Sequence, residues 1–352
     1  MADNIRSPLR PCAKKLQGFR YLACCRHPRR LHGGDRPEKA EPSIMSVLEI
    51  HHLAKRFDTV LAVDDLSFAV SAGEIFGFLG GNGAGKTTTL RMVLDIIRPT
   101  SGTIKVFGAA PDRRATSAIG FLPEERGLYS AMSAIDTIVY FGRLKGLREP
   151  LARSRGMELL ERFDLAERAK SRIGDMSKGM AQKVQLATAL INEPELLMLD
   201  EPFSGLDPVN QGLLETEILR AARRGAAVIF STHVMQHAER LCDRLLLLRR
   251  GCKRFEGTIA EARAQLPATL IAITKTDLSV LPGVMSAVAV SGEGAGGEEW
   301  REWTLTLAPG IDPGTVLEHC SSQGIALRRW DHRQASLHDV FVQLVGPEEV
   351  KP

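Results

Sequence analysis

The feature that most constrains this chain is a glycine-rich run that ends in lysine and threonine. It fits the pattern G-x-x-x-x-G-K-[ST], follows the apolar residues 75–79 and precedes helical apolar spacing over residues 87–97. Because a phosphate-binding loop needs a strand before it and a helix after it, we interpret the run as such a loop. The alternative is a turn that merely connects strand to helix. The residues are Gly80, Gly81, Asn82, Gly83, Ala84, Gly85, Lys86 and Thr87, with Thr88 next.

The chemistry of this run suits a polyphosphate. Glycines let successive backbone N–H groups face inward as a nest for anions, and the start of the following helix adds its positive end. Lys86 supplies a charge for the β- and γ-phosphates, and the Thr87 hydroxyl is a candidate Mg²⁺ ligand. By itself the loop leaves kinases, GTPases and transporter ATPases open.

Two further strand ends carry residues suited to hydrolysis. The apolar residues 196–199 lead into Asp200 and Glu201, and ligands bind at the carboxyl ends of strands in open α/β sheets. Asp200 is a candidate for holding Mg²⁺ through water, and Glu201 for polarising the attacking water, which contributes roughly 10²–10⁴ in rate. His233 follows a third apolar run and is a candidate contact for the γ-phosphate. Taken alone, each is equally a structural residue at a strand end; together with the loop they predict a hydrolytic site.

Strand and helix signals alternate from residue 47 to about 256. The more polar stretch at about 125–191 has mostly helical spacing and predicts a helical insert within an α/β core. After about residue 260, short strand signals and two helical patterns predict a small α+β domain. The predicted fold is an α/β P-loop NTPase core with a helical subdomain and a small C-terminal α+β domain.

The formal net charge of +4 is unevenly distributed. Residues 1–44 carry ten Lys/Arg and four acids, a charge of +6, which leaves −2 for the remainder. A nucleic-acid-binding surface on the folded part is therefore not indicated. Because a fold-like pattern begins only at Met45, we interpret Met45 as the true start and residues 1–44 as an over-called extension. The alternative is a disordered basic tail near anionic lipid or RNA.

Cysteine spacing and apolar runs bear on the environment of the protein. The six cysteines form no C-x-x-C pair of metal-site spacing, which favours reduced thiols in the cytosol. No apolar run approaches the ~18–20 residues that span a bilayer. If this protein serves membrane transport, we expect the membrane part on another chain.

Two further motifs give a resemblance to a known family. Ser177 and Gly179 lie in Met-Ser-Lys-Gly-Met, and Asp207 ends Ser-Gly-Leu-Asp; with the residues above, they resemble the ABC (ATP-binding cassette) ATPases over about residues 47–256. The resemblance implies that Ser177 and the Gly179 backbone bind the γ-phosphate held by a second subunit of a head-to-tail dimer, and that Asp207 links the two sites. It also implies that Phe57 stacks on adenine, with ordinary packing as the alternative.

Three residues depart from the pattern of that family. Gly81 stands where proline is common, which should change loop stiffness more than chemistry. Met180 replaces a polar residue and removes one possible polar contact. Glu124 replaces the glutamine that touches Mg²⁺ and senses the membrane partner. A carboxylate also ligates Mg²⁺, so we expect Glu124 to bind the metal and to change its affinity and coupling.

The C-terminal part narrows the resemblance. Residues 122–129, the Ser-Lys-Gly signature and residues 336–345 are similar to a subgroup that includes bacterial sodium-export ATPase subunits, which carry a small C-terminal domain of uncharacterised function. We predict an ATP-binding domain at 45–265 and a C-terminal domain at 266–352. The last helix is predicted to begin at Ser336, with Asp339 in a capping box.

The resemblance implies an ABC transporter subunit that binds ATP and Mg²⁺, dimerises with a second copy and hydrolyses ATP to power a separate membrane permease, in the direction of export. It implies a cytoplasmic protein held at the inner face of the membrane by its permease, and no nucleic acid partner. Two alternatives remain: a non-transport ABC ATPase that is regulatory or acts on nucleic acid, and a degenerate cassette that only binds nucleotide. The second is disfavoured because Lys86, Asp200, Glu201 and His233 are all present.

Overall fold

The computed structural model describes residues 46–125, 127–291, 300–308 and 310–346, all of which belong to the unit Ile44–Pro352. The predicted extension, residues 1–44, lies outside the described residues. Within the described ranges, no helix has both the length and the apolar character needed to cross a bilayer.

Strands and helices are numbered here in chain order. The strands are β1 (Ser46–Phe57), β2 (Val60–Ser71), β3 (Ile75–Leu79), β4 (Ser101–Val106), β5 (Ile119–Leu122), β6 (Leu196–Asp200), β7 (Ala227–Thr232), β8 (Arg244–Arg249), β9 (Cys252–Thr258), β10 (Thr269–Thr274), β11 (Val284–Ser291), β12 (Arg301–Leu307) and β13 (Leu327–Arg333). The helices are α1 (Lys86–Val93), α2 (Arg113–Ala118), α3 (Ala134–Leu144), α4 (Glu149–Arg162), α5 (Lys178–Leu190), α6 (Pro208–Arg223), α7 (Met235–Leu241), α8 (Ile259–Arg263), α9 (Pro313–Ser322) and α10 (Leu337–Val345).

The central sheet has six strands in the order β5-β6-β7-β3-β8-β9. Neighbouring strands are parallel except β9, which runs antiparallel to β8. β3, β6 and β7 are buried over their whole length, because a parallel sheet covered on both faces needs continuous apolar strands. This sheet confirms the predicted α/β fold class.

The register of the central sheet brings three strand ends together. Leu79 at the end of β3 is paired with Thr232 at the end of β7, and Asp200 at the end of β6 is paired with Ser231. The segments that follow these strands therefore emerge side by side at one edge of the sheet.

A second sheet, with the order β2-β1-β4, is antiparallel and lies over α1. Leu90 and Val93 of α1 belong to one buried cluster with Leu48 and Ile50 of β1 and Phe76 of β3. The helix is therefore packed between the two sheets. Because the glycine-rich loop runs directly into this helix, the C-terminal end of the loop is fixed.

The helices α3, α4 and α5 pack on one another. Ile138, Leu160 and Val184, one from each helix, are fully buried in a cluster that also contains Leu197 and Leu199 of β6. The structure thus has helices where sequence spacing predicts a helical insert, and they cover one face of the central sheet. The boundaries of that insert remain a prediction.

The C-terminal part contains a four-stranded antiparallel sheet with the order β11-β12-β10-β13. Val316 and Cys320 of α9 pack with Leu270 and Leu305 of this sheet. The apolar residues of α10 pack elsewhere: Val340 and its neighbours Leu337 and Phe341 lie in a cluster with Met235 and Ala238 of α7.

Polar contacts hold α10 at the same place. Glu239 of α7 accepts a hydrogen bond from the Leu337 backbone N–H at 2.6 Å and from Arg263 of α8 at 3.3 Å. Ser336 and Asp339 form both bonds of the predicted capping box. The last helix of the predicted domain 266–352 packs on α7 and α8, because both its apolar face and its N-terminus have partners there. The boundary of that domain stays a prediction.

We expect Phe341→Ala to lower the free energy of unfolding by about 3–5 kcal/mol, since a buried aromatic ring is lost and leaves a cavity. The neighbouring Val342 is 43% exposed, and Val342→Ala should change the same quantity by no more than about 0.5 kcal/mol. Chemical denaturation of both variants beside the wild type measures this. Equal effects of the two substitutions would contradict the packing of α10 on α7.

Candidate nucleotide site

The glycine-rich loop is tightly packed against the strands around it. A Cβ on Gly80 would lie 2.6 Å from the Leu248 carbonyl oxygen of β8, and a Cβ on Gly85 would lie 2.5 Å from the Ala62 carbonyl oxygen of β2. Gly85 also has φ +104°, which L side chains rarely adopt. Glycine is therefore needed at both ends of the loop for different steric reasons.

A cavity of about 510 Å³ lies over this loop. It contains most of the residues predicted from the loop motif, together with Phe57, Glu124 and Glu201. Val60, Leu61, Ala62 and Arg250 also line it and were not predicted. The full lining is Phe57, Val60, Leu61, Ala62, Gly81, Asn82, Gly83, Ala84, Gly85, Lys86, Thr87, Thr88, Glu124, Glu201 and Arg250.

Lys86 and Glu201 line this cavity, and Glu201 in turn contacts His233, which does not line it. Lys86 Nζ donates to the Gly80 carbonyl oxygen at 2.6 Å and lies 3.2 Å from Glu201 Oε1. His233 Nδ1 lies 2.9 Å from Glu201 Oε2. The lysine and glutamate side chains are 7% and 10% exposed, whereas that of His233 is 53% exposed. The structure thus brings together three residues predicted from three separate segments.

The two oxygens of the Glu201 carboxylate have different partners, since Oε2 contacts His233 and Oε1 contacts Lys86. Its Oε1 atom is buried and has no hydrogen-bond partner among the described residues, although the Lys86 ammonium is close enough for an ion pair. The backbone of Glu201 has φ +46°, a conformation that is uncommon outside glycine and occurs at active sites. These features describe a buried carboxylate held between Lys86 at one oxygen and His233 at the other.

Ser231, which the sequence analysis missed, connects the two acids. Its hydroxyl accepts a hydrogen bond from the Glu201 backbone N–H at 2.9 Å and donates one to Asp200 Oδ1 at 2.6 Å. Ser231 is fully buried, and Asp200 is 2% exposed. A serine opposite the end of β6 fixes both acids, but only the pairing of β6 with β7 reveals that it lies there.

Phe203 and His237 hold the segment that follows the two acids. Their rings stack at 4.0 Å with an angle of 11°, and Phe203 also meets Phe230 edge-on. Burial, followed by the nearby Arg240 charge, lowers the pKa of His237 and so favours its neutral ring. The sequence analysis missed both residues, because an aromatic stack between β6 and α7 has no local signal.

Ser177, Gly179 and Asp207 do not line the cavity. Ser177 is exposed, caps α5 and accepts from the Met180 backbone N–H at 3.3 Å. Asp207 caps α6 and accepts from the Asn210 backbone N–H at 3.0 Å. That hydrogen bond is the main cause that lowers the pKa of Asp207.

The N-termini of α5 and α6 lie close together. A Cβ on Gly179 would lie 3.1 Å from Asn210 Nδ2, and this amide donates to Asp207 Oδ2 at 2.5 Å. Ser177 and Gly179, which the resemblance assigns to the phosphate of a second subunit, therefore lie near Asp207, which it assigns to a link between the two sites, and all three lie outside the large cavity of their own chain.

Glu124 lies between two cavities. It lines the large cavity and a smaller one of about 220 Å³, which Asp200, Glu201 and Lys178 also line. The loop that carries Glu124 is held by Gln185, whose side chain donates to the carbonyl oxygens of Pro123 and Glu125. Glu124 is exposed and is the predicted residue that joins the glycine-rich loop to the Asp200 side of the site.

The predicted Mg²⁺ ligands fit that ion by chemistry. Thr87, Glu124 and Asp200 offer a hydroxyl and two carboxylates, the hard oxygen donors that Mg²⁺ prefers. Within the described part of the chain, no group of three or more His, Cys, Asp or Glu residues is arranged to hold a metal by itself. Such a site suits Mg²⁺, which usually keeps several waters and shares its coordination with substrate phosphates.

Comparison with known proteins finds relatives among the ATP-binding proteins of ABC transporters. The family model described as ABC transporter matches residues 63–204. The chain is 36% identical to "Uncharacterized ABC transporter ATP-binding protein YhaQ" of Bacillus subtilis, over 85% of this chain and 99% of that protein. It is 35% identical to "Nod factor export ATP-binding protein I" of Burkholderia lata, over 86% of this chain and 97% of that protein.

A solved structure gives the same result. A structure described as the ATP-binding subunit of an ABC transporter is 32% identical and superposes with a TM-score of 0.59. The match covers 62% of this chain and 92% of that chain.

The packing of the loop predicts different effects for two glycines with positive φ. Gly83 has φ +73° and open space around its Cβ position, whereas Gly85 has φ +104° and the close Ala62 oxygen. Gly83→Ala should therefore add only backbone strain, and Gly85→Ala should lower the free energy of unfolding by about a further 1–3 kcal/mol, because the clash moves the backbone. Thermal and chemical unfolding of the two variants measures this difference; equal destabilisation would contradict the close approach of Gly85 to β2.

Proposed function

Because the chain belongs to the ABC transporter ATP-binding protein family, we propose that it binds and hydrolyses ATP to power a separate membrane permease. The observation that carries the proposal is the chain of contacts from Lys86 through Glu201 to His233, beside a cavity lined by the glycine-rich loop. The cavity volume of about 510 Å³ falls in the range of roughly 300–1,000 Å³ that is typical of ligand sites.

The proposed reaction is in-line attack of water on the γ-phosphate. The loop N–H groups and Lys86 stabilise the charge on the phosphate oxygens, as in other phosphoryl-transfer sites. Phosphate oxygens compete with Glu201 Oε1 for the Lys86 ammonium, which lies 3.2 Å from that carboxylate. Glu201 is then available to accept a proton from the attacking water. We expect His233, which contacts the other carboxylate oxygen, to contact the γ-phosphate.

Ser231 and the Phe203–His237 stack act as positioning residues in this proposal. Ser231 fixes the Asp200 carboxylate and the backbone of Glu201 through two hydrogen bonds. The stacked rings fix the chain just beyond Glu201. Small displacements of a general base cost large factors in rate, so a glutamate with positive φ needs such support on both sides.

Mg²⁺ is part of the proposal. Thr87, Glu124 and Asp200 are the residues that would hold it, the last partly through water. When bound, Mg²⁺ neutralises charge on the β- and γ-phosphate oxygens. Asp200 is kept in place for this role by its hydrogen bond from Ser231.

We further propose that two copies complete each site. Ser177, Gly179 and Asp207 are grouped on the surface and do not line the cavity of their own chain. The start of α5 offers backbone N–H groups and a positive dipole end to an anion. A second copy, placed head to tail, would present this surface to the γ-phosphate bound at Lys86.

The permease, the direction and the location of the protein are proposed from the family. A relative described as a Nod factor export ATP-binding protein is 35% identical, which supports export. The ATP-binding subunit would then lie in the cytoplasm, at the inner face of the membrane, held there by a permease on another chain. Specificity for the transported substrate would belong to that permease.

Glu201→Gln should bind ATP, accumulate as a dimer and hydrolyse ATP roughly 10²–10⁴-fold more slowly, because the general base is lost while the phosphate contacts remain. Steady-state phosphate release, ATP titration and size-exclusion chromatography measure these three properties. Lys86→Ala is the matched control, since it should lose ATP affinity itself.

Normal turnover in the Glu201→Gln variant would contradict the role assigned to Glu201. Absence of ATP hydrolysis in the wild type would favour a degenerate cassette. ATP-dependent binding to ribosomes or DNA, with no membrane partner recovered in a pull-down of the full chain, would favour a non-transport ABC ATPase.

Glu124→Gln should raise the Mg²⁺ concentration needed for half-maximal ATP hydrolysis by roughly tenfold. A unit charge about 4 Å from a divalent cation contributes on the order of 1–2 kcal/mol in a water-like medium. Glu125→Gln is the matched control, because Glu125 is also exposed but lines only the smaller cavity. An equal Mg²⁺ dependence of the two variants would exclude Glu124 as a metal ligand.

A further inference from the structure

The turn between β8 and β9 has an unusual residue at its tip. β8 ends at Arg249 and β9 begins at Cys252, so Arg250 and Gly251 form a two-residue hairpin loop. Both have positive φ, +49° and +80°. Such a loop is a type I′ turn, which strongly favours Asn-Gly, Asp-Gly or Gly-Gly. A long side chain at the first position is therefore disfavoured by the local backbone.

The turn is fixed between two walls of the nucleotide cavity. The Gly251 N–H donates to the Ala84 carbonyl oxygen of the glycine-rich loop at 3.0 Å, and the Asp64 N–H of β2 donates to the Gly251 carbonyl oxygen at 2.9 Å. A Cβ on Gly251 would lie 2.8 Å from the Ala62 carbonyl oxygen. The backbone that carries Arg250 is thus held against both the phosphate loop and the β1–β2 hairpin.

Two residues that line the cavity also have a strained backbone. Among the described non-glycine residues with positive φ, only Glu201 and Arg250 line the large cavity. Strain retained at a residue against its local preference is expected where that residue has a functional role. Glu201 already has one in the proposed function, and Arg250 has none.

The surroundings of Arg250 indicate which part of a nucleotide it meets. The cavity wall on the β1–β2 side is apolar, with Phe57, Val60, Leu61 and Ala62, and Arg250 is the charged residue of the lining on that side. Lys86 and the two glutamates belong to the phosphate end. A guanidinium group is planar, carries five N–H donors and stacks on aromatic rings, so it suits the acceptor atoms of a purine or the hydroxyls of a ribose.

We propose that Arg250 binds the nucleoside part of ATP, opposite the aromatic side chain of Phe57, and so contributes to nucleotide affinity at this site. This inference rests on the proposed function, because it requires that the cavity binds ATP. The β8–β9 turn would then contact the nucleoside, which the phosphate loop does not reach and which distinguishes ATP from an inorganic polyphosphate.

The test uses Arg250→Asn in the full chain. Asparagine suits the type I′ turn better than arginine, so the turn should be retained, which the melting temperature checks. Affinity for ATP, measured by calorimetric titration with Mg²⁺, should fall roughly tenfold through loss of a charged hydrogen-bond donor. Affinity for inorganic tripolyphosphate should stay unchanged.

Arg249→Ala is the matched control. Arg249 is adjacent and carries the same charge, but it does not line the cavity, and its guanidinium lies 3.2 Å from the Cβ position of Gly346. It should leave the ATP affinity unchanged, which separates a specific contact from a general effect of positive charge. Arg250→Lys, which keeps the charge without the planar group, should bind ATP nearly as weakly as Arg250→Asn.

Other outcomes overturn the proposal. Unchanged ATP affinity in Arg250→Asn means that Arg250 makes no contact with the nucleotide. Equal loss of ATP and tripolyphosphate affinity assigns Arg250 to the phosphates. A fall in both melting temperature and ATP affinity assigns it a structural role. If the wild type binds tripolyphosphate and ATP equally weakly, the proposed function itself fails, which the titration of the wild type reveals separately.

Discussion

The buried ion pair between Lys86 and Glu201 is the interaction on which the rest of the site depends. A buried charge without a partner is strongly destabilising, so each of these residues requires the other at 3.2 Å. That distance is possible only because β3 and β6 run parallel in one sheet, separated by β7, with their carboxyl ends at the same edge. The register of these strands therefore brings the glycine-rich loop, the two acids and the histidine close together.

Around this pair, the protein supports a strained residue from several directions. Glu201 has positive φ. Its backbone N–H donates to Ser231, and the residue two positions later, Phe203, stacks on His237. The same helix that carries His237 also carries Glu239, which binds the N-terminus of α10. One short helix, α7, thus contacts both the segment after Glu201 and the start of α10. A displacement of either segment would therefore change the contacts of α7.

The polar groups of the site are divided between two surfaces. The large cavity is lined by the glycine-rich loop, two glutamates and an arginine, whereas Ser177 and Asp207, which cap α5 and α6, are exposed and do not line it. The positive end of the α5 dipole lies at this exposed helix start and is suited to an anion. This division of groups is the structural reason for proposing that hydrolysis needs two copies.

Sequence alone determined the phosphate loop, the buried strands β3, β6 and β7, and the two acids, because these depend on local spacing and on continuous apolar runs. The strand β13, most of whose residues are exposed, was not predicted, and the helical spacing over residues 87–97 corresponds to a helix that ends earlier, at Val93. Only the tertiary structure decided the contacts of Ser231, the position of Arg250 at the cavity and the place of α10. Ser231 meets Asp200 from 31 residues away, and Arg250 reaches the cavity because its turn is bonded to the loop and to β2. Contacts between distant segments arise from strand order and register, which no local pattern of residues specifies.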